Sequence, residues 1–136
     1  MEISEIEETF AFFDDWEDKY RFVIELGREL PVMEQADRIE HNLVRGCQSQ
    51  VWMVARYDAD ANTLHFDIDS DAHIVRGLIA IVLSVYDGRS PGFVRDFDIE
   101  ALFEKLDLLK HLSPTRGNGL RAMIAKIRAF AATCTA

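Results

Sequence analysis

Val51-Trp52-Met53-Val54-Ala55-Arg56-Tyr57, followed by Asp58-Ala59-Asp60-Ala61-Asn62 and then Thr63-Leu64-His65-Phe66-Asp67-Ile68-Asp69, is the stretch that decides the fold. The first run is rich in strand-forming residues. In the last, Leu64, Phe66 and Ile68 alternate with His65, Asp67 and Asp69, the period-two pattern of a strand with one buried and one solvated face. The residues between them tolerate a sharp backbone bend. Upstream, residues 39–44 alternate more loosely and enter the first run through Arg45-Gly46-Cys47-Gln48-Ser49. These features predict a three-stranded antiparallel meander with turns at 45–49 and 58–62.

Helical patterns flank the meander on both sides. Ser4 followed by Glu7 reads as a capping box, and Ile3, Ile6, Phe10 and Phe13 recur at helical spacing, so a helix is expected over about 4–13. Asp14 or Asp15 can cap a second, whose stripe is Trp16, Tyr20, Val23 and Ile24 and which ends near Gly27 before Pro31. After the meander, Ser70 can cap a helix from Asp71 to Tyr86. Ile74, Val75, Leu78, Ile79, Ile81 and Val82 leave that helix little polar surface and place it in the middle of the fold. Asp87-Gly88-Arg89-Ser90-Pro91-Gly92 breaks it; shorter and longer helices are expected near 99–106 and 118–133. The order of elements predicts one α+β domain over 1–136, a three-stranded antiparallel sheet packed on helices.

Composition narrows the function. The chain has 136 residues, 49% hydrophobic and 29% charged, with 15 Lys and Arg against 24 Asp and Glu. A formal charge of −9 repels phosphate backbones, so nucleic acid is not an expected partner. Residues 1–18 carry eight acids and no base, and residues 110–136 carry five bases and no acid. Neither a signal peptide nor a membrane span is visible, and the expected location is the cytoplasm.

Cys47 and Cys134 are the two cysteines. Cys134 stands near a chain end that is expected to fray. Cys47 sits at a strand-to-strand turn, where a rigid scaffold can present a thiol to a large partner. Gly46 frees the backbone there, and turn amides can stabilise a thiolate, the reactive form of a group whose ordinary pKa is about 8.5. A buried structural thiol is the competing reading of the residue alone. A small thiol enzyme using Cys47 with His41, His65 or His111 as base is another. No Cys-x-x-Cys pair and no His pair at ligand spacing supports a metal site.

Trp16-Glu17-Asp18-Lys19-Tyr20, Glu25-Leu26-Gly27-Arg28-Glu29-Leu30-Pro31, Gly46-Cys47-Gln48-Ser49-Gln50-Val51-Trp52, Asp69-Ser70-Asp71-Ala72, Ile74-Val75-Arg76-Gly77-Leu78 and His111-Leu112-Ser113-Pro114-Thr115-Arg116 resemble, in order and spacing, the SufE family of cysteine desulfurase partners. The resemblance covers nearly the whole chain. It implies the fold shared with IscU-type scaffolds and puts Cys47 at the family's sulfur-accepting cysteine. It further implies a carrier that takes a persulfide from a desulfurase of the SufS or CsdA kind, stimulates that enzyme, and delivers sulfur to an iron–sulfur scaffold complex of the SufBCD kind. Pyridoxal phosphate would stay on the desulfurase, and no cofactor is expected on this chain. With one cysteine in its body, the chain is expected to carry sulfur rather than build a cluster. Gly46, Gln48 and Ser49 are expected to shape the turn, Asp71 to flank it, and Arg116 either to supply positive charge near the sulfur or to serve as an ion pair within the fold. Cys47 is expected to be partly shielded in the free protein, because a persulfide is easily reduced and oxidised.

Overall fold

The computed structural model describes residues 2–46 and 49–134. Two helices, α1 (Ile3–Phe12) and α2 (Trp16–Arg28), precede a strap containing two 3-10 turns, Gln35–Asp37 and Glu40–Asn42. The hairpin β1 (Val51–Asp58) and β2 (Thr63–Ser70) follows, then α3 (His73–Tyr86), α4 (Pro91–Asp96), α5 (Ile99–Lys105), α6 (Leu108–His111) and α7 (Pro114–Thr133).

The expected α+β class is observed, with one change in the sheet. β1 and β2 pair antiparallel from Val51 opposite Ser70 to Asp58 opposite Thr63. The strand expected over 39–44 contributes only an isolated bridge, Leu43 to Trp52, and a bond from the Val44 N–H to the Val51 carbonyl of 2.8 Å. Its backbone is used locally: Asn42 and Leu43 donate back to Ile39 and Glu40. The Asn42 side chain donates to the Asp37 carbonyl. Residues bonded along the chain in this way cannot also form a ladder.

Local capping explains where the helices start. Asp15 caps α2 by accepting from the Asp18 N–H at 2.9 Å. The capping box expected at Ser4 is absent: α1 starts one residue earlier, after Glu2, with no side-chain cap. Ser70 likewise does not cap α3; its hydroxyl accepts from the Ala72 N–H ahead of the helix. Ser-Pro pairs open two helices that begin inside or before the expected boundaries. Ser90 with Pro91 starts α4 inside the stretch read as a breaker, and Ser113 with Pro114 starts α7 four residues before 118. In both, the serine oxygen satisfies an orphan amide and proline supplies a preset φ.

α3 is the centre of the core, with Ile79, Ile81, Val82 and Tyr86 fully enclosed. It crosses α2 at a point where no side chain fits. A Cβ on Gly27 would lie 2.6 Å from the Gly77 amide nitrogen, and one on Gly77 would overlap the Val23 carbonyl. Around this pair, Val23 and Leu26 of α2 bury against α3, and Met123, Ile124 and Ile127 of α7 enter the same core. Ion pairs between Lys105 and Glu7 and between Arg128 and Glu100 join the outer helices. Among the described residues, no helix is long and apolar enough to cross a membrane.

Candidate functional site

Cys47 and Gln48 lie outside the described residues, so the site is defined by what brackets them. On the near side, Gly46 adopts φ +91°, open to glycine and costly for other residues. A Cβ there would come within 3.4 Å of the Ala122 Cβ on α7. On the far side, Ser49 enters the lining of a narrow cavity of about 30 Å³, room for one or two water-sized groups. Val51, Val75 and Leu78 form its apolar wall, and Thr115 and Arg116 bring the first turn of α7 to it.

Both ends of the loop are fastened. The bond from the Val44 N–H to the Val51 carbonyl closes its base, and the Lys126 ammonium donates to the Leu43 carbonyl at 3.4 Å. Asp71 holds the exit twice: its carboxylate accepts from the Gln50 N–H at 3.1 Å, and its own N–H donates to the Gln50 carbonyl at 3.3 Å. The structure thus brings Gly46, Ser49, Asp71 and Arg116, four of the residues singled out by sequence, around one loop.

Arg116 has no ion pair or side-chain hydrogen bond with another described residue; its backbone N–H is bound by the Ser113 hydroxyl at 3.2 Å. Of its two expected roles, no ion pair within the described fold occupies it. A guanidinium and the N-terminal turn of a 20-residue helix at one cavity wall favour an anion there. Among the described residues, no histidine lines the cavity. His65 bonds Thr63 at the other end of the hairpin, and His111 stacks on Trp16 with ring centroids 4.3 Å apart.

Sequence reading missed the polar group beneath the strap. Asp69 was placed on the solvated face of β2, yet it is fully buried. The strap covers that face: the Met33 N–H donates to Asp69 Oδ2 at 2.9 Å and Arg38 reaches the same oxygen at 2.7 Å. The Ser70 N–H and Arg76 satisfy Oδ1. Burial pushes the Asp69 carboxyl up, but these two amides and two guanidinium groups outweigh it and hold the group below the ordinary aspartate range. Arg38 also lies over Trp52, 5.2 Å from the ring centroid, directly across the ladder from Asp69. The available signal is Arg76, a lone base in the apolar run Ile74-Val75-Arg76-Gly77-Leu78.

The SufE family model, described as an Fe-S metabolism associated domain, matches residues 4–131. The chain belongs to the SufE family. An uncharacterized SufE-like protein of Rhizobium meliloti is 48% identical over 131 residues, covering 95% of this chain and 94% of that protein. A second, from Rhizobium etli, is 46% identical over 128 residues, covering 93% and 86%. In three dimensions the chain is similar to the solution structure of a hypothetical protein from Thermus thermophilus, with a TM-score of 0.76 and 17% identity, covering 97% of this chain and 94% of that one. That likeness concerns the fold alone. SufE membership carries a sulfur-transfer role, in general terms, alongside a cysteine desulfurase.

Proposed function

We propose that this SufE-family chain accepts sulfur on Cys47 and passes it on to iron–sulfur cluster assembly. The Cys47 thiolate attacks the outer sulfur of a persulfide on a desulfurase cysteine. A bond from Cys47 to that sulfur forms, the sulfur–sulfur bond on the donor breaks, and the donor cysteine leaves as a thiolate. No net oxidation occurs, because one persulfide is exchanged for another. The pyridoxal phosphate chemistry that frees the sulfur belongs to the desulfurase. Delivery reverses the exchange, with a thiol of a scaffold complex of the SufBCD kind as attacker, in the cytoplasm.

The observation that carries this reading is the fastened loop with Gly46 and Ser49 on either side of Cys47 and Arg116 at the adjoining cavity. Positive charge and helix amides beside a thiol lower its pKa and stabilise the thiolate and persulfide anions. Gln48, next to the thiol, is assigned with Gly46 and Ser49 to shaping the turn. Among the described residues the adjoining cavity is lined by no histidine, so the thiol-enzyme alternative finds no base there. Alanine production from cysteine by a partner desulfurase is the test. Wild type and Cys134→Ser are expected to stimulate it, and Cys47→Ser is not; equal stimulation by Cys47→Ser would show a binding module rather than a carrier.

A further inference from the structure

A second surface lies away from the cavity lined by Ser49 and Arg116. Ala80, Leu83 and Ser84 of α3, with Asp87 at its C-terminal cap, fall at i, i+3, i+4 and i+7, and all four line a groove. The stripe is only partly covered, unlike the other sides of this core helix. Leu26 and Leu30 floor the groove at one end. A neighbouring cavity that shares Leu30, Pro31, Leu83 and Asp87 with it extends to Met33, Phe66 and Ile68. The rise from Ala80 to Asp87, just past the end of α3, is roughly 10 Å, about two turns of helix. No described residue is shared with the lining of the cavity that Ser49 and Arg116 enter.

The rim has one sign of charge. Glu29, Glu34, Asp37, Asp67 and Asp87 line the groove, and no Lys, Arg or His does. Glu29, Glu34, Asp37 and Asp67 form no ion pair with any described residue, although the same chain pairs Glu7, Glu17, Glu25 and Glu100 with bases. At the mouth Val32 is 73% exposed. The partly exposed Ala80 and Leu83 and the exposed Val32, inside a rim where four of the five acids have no ion pair among the described residues and Asp87 has His65 at 3.9 Å, are complementary to a helix with one apolar face and lysines or arginines along its flanks.

We infer that this groove docks a basic amphipathic helix of a protein partner. Such a partner would hold the carrier from the side and leave the Cys47 loop free. A membrane does not fit the site, because anionic headgroups would meet five carboxylates.

The test uses the full chain and a synthetic leucine–lysine amphipathic helix, with a leucine–glutamate helix as control. Amide chemical shifts are expected to move at residues 29–37, 66–68 and 80–87 with the lysine peptide and not with the glutamate peptide. Glu34→Gln, Asp37→Asn and Asp67→Asn combined are expected to weaken binding about tenfold. Val32→Lys, at an exposed position, is expected to weaken it several-fold. Glu5→Gln with Glu8→Gln removes two acids from α1 as a charge control, with an expected change below about twofold. Equal loss in the α1 variant, shifts confined to α1, or the same shifts with calcium alone would overturn the proposal.

Discussion

Asp69 holds its charge where a carboxylate is unfavourable unless every lone pair has a partner. Two amides and two arginines meet that condition, so the charged form belongs to the folded state. Its folded pKa lies below the unfolded value of about 3.9, so the unfolded chain binds the proton more readily. The stabilisation is therefore complete above about pH 4 and is lost as pH falls through the folded value. Asp69→Asn is expected to cost about 2–4 kcal/mol at neutral pH and to flatten the acid limb of the unfolding curve, measured by denaturant titration from pH 7 downward. Arg116 belongs to the opposite case, a charge at a cavity wall with no described counter-ion. Arg116→Ala is expected to slow sulfur acceptance about tenfold with little change in melting temperature, and Arg116→Lys to recover part of the rate. A large fall in melting temperature with acceptance per folded molecule intact would make Arg116 structural.

At the scale of elements, what was legible followed from periodicity and what was missed followed from tertiary contact. The alternation at Leu64, Phe66 and Ile68 located β2, and the apolar run through Ile79 and Val82 located the central helix. Asp69 obeyed the same alternation and misled, because the strap that covers its face is 31–36 residues away in sequence. Residues 39–44 alternated too, yet the amides of Asn42 and Leu43 bond along the chain. Ser90-Pro91 and Ser113-Pro114 are helix starts in plain view; the first falls in the stretch read as a break and the second ahead of the helix expected from 118. The α2–α3 crossing left no periodic signal, since its content is the absence of side chains at Gly27 and Gly77. Gly77→Ala is expected to destabilise the fold by about 3 kcal/mol in chemical denaturation, because the new Cβ meets the Val23 backbone rather than a yielding side chain. For the loop, Asp71→Ala removes the acceptor of the Gln50 N–H. Cys47 alkylation is expected to speed several-fold while stability falls by about 1 kcal/mol or less.

Across the whole molecule, the candidate site joins parts of the chain that no local reading connects: the loop at 45–50, Asp71 beyond the hairpin, and Arg116 at the start of α7. The resemblance to SufE supplied that association from six motifs, and the folded chain places Gly46, Ser49, Asp71 and Arg116 around one loop. The geometry adds why those motifs are spaced as they are. The hairpin returns Ser70 and Asp71 beside Val51 and Gln50, and α7 brings Arg116 to the same cavity. The unpaired acids of the groove have no role in this site and lie on another side of α3. The central claim, that Cys47 carries the sulfur, is tested most directly by peptide mapping after incubation with a cysteine desulfurase and cysteine, using mass spectrometry under non-reducing conditions. One added sulfur on the peptide containing Cys47, absent from the peptide containing Cys134, is the predicted result. Sulfur on Cys134 with Cys47 unmodified would contradict the account.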